Sequence, residues 1–293
     1  MTLKTTLSLL GLLLSLQTLS GQSLFYFNAG DTTFVFGDKI NVRNQPGTDA
    51  PVAFQLAAGD MVILLEEREE RSTLNKLDQP WYKIKTPSGQ TGFIWGGLLS
   101  LWGAQQDGEV KFVAGVVQSD GAQPEQDGVP TLSVEVRAVR NGAVISKVST
   151  KIQNQGTVRN RSIEFGARGL KGFRDLLCFD IGVDACGYPN DEWYILWDGI
   201  KLVPLPIITS IADGGVFYHS EDYLFPEGSP WDENGRSGHY GDPSLIFLSI
   251  SHGETEELDE NKGWNENSWV RVRPMVWDGK QFVKPKNMGE PKD

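Results

Sequence analysis

The chain is poor in cysteine, histidine, basic residues and long apolar runs, the features that most often indicate a metal, nucleic-acid or membrane function. Its 293 residues include only 2 cysteines and 3 histidines, and 38 aspartates and glutamates outnumber 27 lysines and arginines. The formal net charge of −11 argues against a nucleic-acid partner, because binding to phosphates requires a basic surface. After residue 23 the sequence also contains no apolar run of membrane-spanning length. We therefore expect no nucleic-acid partner and no transmembrane anchor in the mature chain.

The first 23 residues have the pattern of an export signal. Lys4 supplies a positive charge, Leu7 to Leu16 form an apolar run, and Ser20 and Ser23 are among the small residues that signal peptidase requires. The run is too short to remain in a bilayer as a permanent helix, and no cysteine follows it for lipid attachment. We predict a signal peptide over residues 1–23 and a mature protein that is periplasmic or secreted.

Very little of the chain after residue 23 has a helical pattern. Apolar residues alternate with period two, and glycine (33 residues in the whole chain), proline, asparagine and aspartate interrupt them as turns do. In the first part this pattern predicts five short strands, with a polar loop at residues 68–79 and a linker at residues 102–108. A second β-rich region follows, from Glu109 to about residue 285.

A series of short motifs in the first part resembles a bacterial SH3-type domain. In order, the motifs are Asn41-Val42-Arg43 with Pro46-Gly47, then Gly59-Asp60, Trp81-Tyr82-Lys83-Ile84 and Gly92-Phe93-Ile94. The resemblance covers roughly residues 37–101 and implies a small β-barrel, although Phe93 stands where the family more commonly has tryptophan. Members of this family often bind cell-wall peptide or act as a spacer beside a catalytic domain. Trp81 and Tyr82 are expected to fill the small barrel core.

These observations predict an all-β protein with a signal peptide (1–23), an SH3-like barrel (37–101) and a larger antiparallel β-domain (109–285), sandwich-like or irregular. Asn141-Gly142 in the last part indicates a two-residue hairpin. Two Trp-Asp-Gly hairpins, after Trp197 and Trp277, have two interpretations. They are an internal repeat, as in propeller blades, or unrelated hairpins of one domain.

Cys178 and Cys186 are the only cysteines. Outside the cytoplasm such a pair would normally be oxidised. Eight residues of extended strand, however, span roughly 26 Å, whereas a disulfide needs Cα atoms within about 7 Å. Two alternatives follow: a disulfide formed by a bend at Gly182, or two separate buried thiols. We do not expect Cys186 to be a nucleophile, because no helix begins at this cysteine to lower the thiol pKa and no histidine has the required setting.

No residue set predicts a metal site, a cofactor or a catalytic group. His219, His239 and His252 are too far apart in sequence for a compact ligand motif. The stretch from Asp232 to Asp242 mixes oxygen donors with glycine but lacks the spacing of a calcium loop. The acidic stretch 254–266 is interpreted as a solvated loop, with a cation site as the alternative.

Three tryptophans in polar stretches, Trp231, Trp264 and Trp269, are the ligand-binding candidates. They lie near Asn, Glu or Gly residues in predicted loops, a composition typical of a sugar platform, although they would also suit caps at the ends of the β core. We predict a non-enzymatic envelope binding or scaffolding protein whose partner is peptidoglycan, another glycan or an envelope protein. The alternative is a cell-wall or glycan hydrolase whose carboxylates the sequence does not identify. A cleft with two carboxylates at catalytic separation would favour the hydrolase, and a flat aromatic patch would favour binding.

Overall fold

The computed structural model describes residues 27–105, 110–120, 131–153, 157–182, 186–214, 216–227, 242–259 and 263–285. In these residues the regular structure consists of antiparallel β-strands and two short 3₁₀ turns, which confirms the all-β prediction. None of the helices in this part of the chain is long and apolar enough to cross a membrane. The predicted signal peptide, residues 1–23, lies outside the described residues, as do Trp231, His239 and nearly all of the stretch from residue 232 to 242.

The first six strands form a curled sheet, called the barrel below (residues 32–100), in the order β1-β4-β5-β6-β2-β3. Its strands are β1 Thr32–Phe34, β2 Ile40–Arg43, β3 Val52–Leu56, β4 Met61–Leu74, β5 Leu77–Lys85 and β6 Thr91–Trp95. A bridge between Val35 and Leu99 joins the first strand to the segment that follows β6. Tyr82, Ile84 and Ile94 are among the side chains of its buried core. The short β1 makes the barrel six-stranded, one strand more than predicted.

The predicted polar loop at residues 68–79 is instead a hairpin of two long strands. β4 continues to Leu74 and β5 begins at Leu77, and between them Asn75 and Lys76 both have positive φ, 51° and 60°, as a type I′ turn requires. Most side chains at the end of β4 are exposed, so no apolar alternation marked this strand in the sequence. The tip of the hairpin contacts the next sheet, because Ser119 N donates to Asn75 O at 3.2 Å.

The predicted linker at residues 102–108 begins with a strand of a second sheet, called the middle sheet below, in the order β10-β9-β8-β7. Its strands are β7 Trp102–Gln105, β8 Lys111–Ser119, β9 Thr131–Arg140 and β10 Ala143–Gln153. The Trp102 ring packs edge-on against Phe179 with centroids 5.2 Å apart, which fixes the segment in place. The predicted Asn141-Gly142 hairpin joins β9 and β10, and both of its residues have positive φ.

The remaining nine strands form one antiparallel sheet, called the large sheet below, in the order β11-β12-β13-β15-β16-β17-β18-β19, with β14 paired to β13. Its strands are β11 Thr157–Phe165, β12 Asp175–Gly182, β13 Asn190–Trp197, β14 Leu202–Pro204, β15 Ile208–Asp213, β16 Phe217–Leu224, β17 Leu245–Asp259, β18 Gly263–Trp277 and β19 Phe282–Val283. Both Trp-Asp-Gly hairpins belong to this one sheet, β13–β14 and β18–β19, and not to separate propeller blades. Most of the acidic stretch 254–266 is strand, because β17 and β18 pair as far as Asp259 and Gly263.

Strand β8 of the middle sheet is buried on both faces, because it lies between the barrel and the large sheet. On one face Val113 and Val139 pack with Phe36 and Ala58 of the barrel. On the other face Phe112 meets the large sheet, where its ring contacts Trp197 edge-on at 5.6 Å. This burial explains the nearly continuous apolar run of β8, since a strand covered on both faces has no solvent-facing positions.

Trp81 does not belong to the barrel core, contrary to expectation. On β5 successive side chains point to opposite faces, so Tyr82 enters the barrel core while Trp81 joins the cluster shared with the other two sheets. Trp81 is 3% exposed, and its indole N–H donates to Ser72 Oγ at 2.9 Å. The barrel and the sheets that follow it therefore share one hydrophobic cluster.

Candidate functional site

The end of the large sheet that lies away from the core is exposed on both faces. Along β16 the side chains change from buried Tyr223 to exposed Tyr218. On β18, Trp269 is 41% exposed and its neighbour Val270 is also exposed, and consecutive residues of a strand point to opposite faces. Large apolar side chains in such a place do not stabilise a core, which makes them candidates for contact with a ligand.

Three aromatic side chains form a row across one of these faces, called the aromatic row below. His219 on β16 pairs directly with His252 on β17, which in turn pairs with Trp269 on β18. The two imidazole centroids lie 5.9 Å apart, and the His252 ring stacks on Trp269 with centroids 5.6 Å apart and an interplanar angle of 29°. Antiparallel registration thus places three flat rings from separate strands side by side on one face.

Charged groups line the aromatic row. Glu254 Oε1 lies 3.0 Å from His252 Nε2, and Glu221 Oε1 lies 3.7 Å from His219 Nε2. The other carboxylate oxygen of Glu221, Oε2, accepts a hydrogen bond from the Thr209 N–H at 3.1 Å, which holds this side chain in place. The Arg271 guanidinium lies 4.7 Å from the centre of the Trp269 ring. The row is therefore an aromatic surface with hydrogen-bonding groups at its rim.

The three predicted tryptophans have different positions relative to this site. Trp269 is part of the row, whereas Trp231 lies outside the described residues. Trp264 is a residue of strand β18, and its backbone is paired with that of Glu257 on β17. Trp264 and Trp269 were expected in loops and instead belong to a strand that pairs with β17 from Leu245 to Asp259. Trp264 lies where β17 and β18 continue as a two-stranded ribbon beyond the end of β16, whereas Trp269 lies level with His219 of β16.

The residues that the sequence analysis did not associate with the site are His219, His252, Glu221 and Glu254. A signal for them is present in the sequence: each histidine is followed two residues later by a glutamate. Side chains at i and i+2 of a strand share a face. The signal did not bring the two pairs together, because 33 residues separate the histidines and only the β16–β17 pairing unites them.

A second polar cluster lies near the core of the large sheet. Cys178 pairs with Tyr194, and Asp180 pairs with Glu192, on β12 and β13. The Tyr194 hydroxyl donates to Glu192 Oε2 at 2.6 Å. Desolvation raises the pKa of Glu192, and the negative charges of Asp180 and Asp222 raise it further. Burial also raises the pKa of the Cys178 thiol to about 12, so this thiol is a poor nucleophile.

The two cysteines differ in their exposure. Cys178 and Cys186 are both free in the structure; Cys178 is partly buried and Cys186 is exposed. Across the part of the chain that the structure describes, no group of three or more His, Cys, Asp and Glu side chains is arranged to hold a metal ion.

Comparison with known proteins identifies the family of the barrel. The family model described as the bacterial SH3 domain matches residues 38–100. The chain contains a bacterial SH3 domain. The match coincides with the barrel, so the resemblance seen in the sequence motifs is confirmed, and no family model matches the remaining residues. Neither a curated protein nor a solved structure matches the chain.

The SH3 domain carries a functional implication only at the level of its family. Bacterial SH3 domains commonly bind cell-wall material and are typical of proteins outside the cytoplasm. In this chain, one side of the domain is covered by the middle sheet, where Phe36 and Ala58 are buried. Any ligand of the domain itself must use its remaining surface.

Proposed function

We propose that this protein is a non-enzymatic binding protein of the bacterial cell envelope, exported to the periplasm or secreted, which binds glycan on the aromatic row. The in-register rings of the partly buried His219 and His252 and the exposed Trp269 are the observation that carries this proposal. The bacterial SH3 domain supports it, because that family commonly binds cell-wall material.

The shape and chemistry of the row suit a sugar ring. The apolar face of a pyranose packs on an aromatic surface, and its hydroxyls require hydrogen-bonding partners at the rim. Here Glu221, Glu254 and Arg271 supply these partners. Because Arg271 lies over the Trp269 ring and is exposed, a ligand reaches that ring by displacing the guanidinium.

The test is a binding assay with purified peptidoglycan and a panel of neutral polysaccharides. We expect Trp269→Ala to weaken binding at least about tenfold, the effect of losing one anchoring aromatic. Val270→Ala is the matched control, because Val270 is the next residue of the same strand and equally exposed, but points to the opposite face. Thermal unfolding should be nearly unchanged in both variants, since neither side chain is in the core.

The remaining candidates are tested in the same assay. Trp231→Ala and Trp264→Ala measure whether the other two predicted tryptophans contribute. Binding that survives Trp269→Ala would refute the aromatic row as the glycan site, and binding that survives all three substitutions would exclude the predicted tryptophans altogether. Loss of binding in Val270→Ala but not in Trp269→Ala would move the site to the opposite face of β18.

A hydrolase is the second candidate, and one observation favours it. A raised carboxyl pKa is what a general acid needs, and Glu192 has one, with Asp222 close enough to influence it. Incubation of peptidoglycan with the wild type and with Glu192→Gln, followed by analysis of released fragments, tests this alternative. Turnover that disappears in Glu192→Gln would replace the binding function with hydrolysis.

A further inference from the structure

A groove lies where the edge of the SH3 domain meets strand β10 of the middle sheet. It has a volume of about 410 Å³, which is within the range of small-molecule sites. It is lined by Asp38, Arg137, Val144, Ile145, Ser146 and Lys147, and is called the junction groove below. The lining comes from two structural units, and ligand sites are frequent at such boundaries.

The charges on the middle-sheet side of the junction groove are unequal. Arg137 and Lys147 are a direct cross-strand pair, so two cations lie side by side on one face. A single carboxylate, that of Glu135, serves both: Arg137 Nε lies 2.5 Å from Glu135 Oε1, and Lys147 Nζ lies 3.1 Å from Glu135 Oε2. Glu135 is buried, whereas the Lys147 side chain is 61% exposed. This side therefore carries one positive charge without its own counterion, and it is accessible.

A carboxylate, that of Asp38, lies on the opposite wall of the groove. Asp38 belongs to the exposed turn of the SH3 domain before β2. Among the described residues it forms no ion pair with Arg137 or Lys147, so the groove separates a free carboxylate from a partly neutralised cation pair.

Both walls of the junction groove are held in place. Arg137 also donates to the Phe36 carbonyl oxygen at 2.6 Å and stacks on the Phe36 ring, which joins the middle sheet to the SH3 domain. Ser146 Oγ accepts the Leu202 N–H at 2.9 Å, which ties β10 to the large sheet. A β-bulge between Val144 and Ser146 adds Ile145 to the groove wall. Bulges at such places commonly re-aim side chains toward a site.

We propose that the junction groove binds a small zwitterion, a short peptide with a free amino group and a free carboxylate. The ligand carboxylate pairs with Lys147 beside Arg137, its ammonium pairs with Asp38, and its small apolar part packs against Val144 and Ile145. Opposite charges at the two walls fix the orientation of the ligand. This site is distinct from the aromatic row and does not depend on glycan binding.

The probe is the dipeptide Ala-Ala, titrated at millimolar concentrations into the ¹⁵N-labelled mature protein. We expect chemical-shift changes at residues of the junction groove and at least about tenfold weaker binding in Lys147→Gln and in Asp38→Asn. Lys151→Gln is the matched control, since Lys151 is exposed on the same strand but is not part of the groove, and it should bind as the wild type does.

Two modified probes separate the roles of the two walls. N-acetyl-Ala-Ala lacks the ammonium, so its affinity should be low and no longer depend on Asp38. Ala-Ala amide lacks the carboxylate, so its affinity should be low and no longer depend on Lys147. Absence of shift changes at the groove, or equal binding by Lys147→Gln and Lys151→Gln, would overturn the proposal. Loss of glycan binding in Trp269→Ala would leave this result unaffected.

Discussion

The ring of Phe36, in the SH3 domain, lies directly over Gly115 in the middle sheet. A Cβ atom at position 115 would be 2.6 Å from Phe36 Cγ, closer than any real contact of that kind. The Phe36 ring is buried, and the guanidinium carbon of Arg137 lies 4.0 Å from its centroid. The ring therefore has little room to move away from a side chain at position 115. The absence of a side chain at Gly115 is therefore what allows the SH3 domain to approach the sheet so closely.

We expect Gly115→Ala to lower the free energy of unfolding by about 1–3 kcal/mol, the usual effect of overpacking a filled core. Urea unfolding of the mature protein measures it. The double variant Phe36→Leu/Gly115→Ala is the control, because the smaller leucine leaves room for the new methyl group. Its loss of stability should be less than the sum of the two single losses. Additive losses would show that the Phe36–Gly115 contact does not cause the effect.

The hydrophobic cluster shared by the three layers also bears on how the chain can be divided. A polar linker at residues 102–108, as the sequence predicted, would let residues 109–293 fold without the barrel. Removal of the SH3 domain, however, would expose Val113 and Val139 on one face of the middle sheet and take Trp81 and Trp95 out of the shared cluster. We now expect a fragment of residues 109–293 to show no cooperative thermal transition by circular dichroism, while residues 24–293 melt cooperatively. A cooperative transition in the fragment would support separate folding units.

The two cysteines should differ sharply in reactivity. Thiol reagents attack the thiolate, and with a pKa of about 12 only about one Cys178 thiol in ten thousand is ionised at pH 8. Cys186 is exposed. We expect one thiol per chain to react with Ellman's reagent in the native protein and two after unfolding without a reductant. Cys186→Ser should show none in the native state. Zero reactive thiols in the unfolded wild type would instead demonstrate the disulfide.

The carboxyl group of Glu192 should make the protein less stable as the pH rises. Its pKa in the folded state is raised above the ordinary value of 4.5, mainly by desolvation, so between these two values the folded state binds more protons than the unfolded state. Stability therefore falls as the pH rises through this window. Glu192→Gln removes the effect and keeps an acceptor for the Tyr194 hydroxyl, which donates to Glu192 in the wild type.

We expect the difference in unfolding free energy between Glu192→Gln and the wild type to increase in favour of the variant from pH 4.5 to pH 7. Urea unfolding across this range provides the measurement. A Glu192→Gln difference that does not change with pH would contradict the raised pKa.

Local signals predicted the strands whose two faces have different environments or whose turns have distinctive chemistry. The Asn141-Gly142 hairpin is one case, since two residues with positive φ select that turn. Prediction failed where both faces of a strand are exposed to solvent, as in the second half of β4 and in the ribbon of β17 and β18. Polar residues on both faces of a strand have no period that distinguishes them from a loop.

The sequence by itself determined the all-β class and the SH3 domain, because period-two alternation and ordered turn motifs depend only on residues close together in the chain. Only the tertiary structure decided that Trp81 faces outward from the barrel into a shared cluster, that Trp269 stands beside His219 and His252, and that Asp38 faces Lys147 across a groove. Each of these depends on strands distant in sequence being paired or packed together. Such pairing is set by how the three sheets bury their apolar faces together, which no short stretch of the chain encodes.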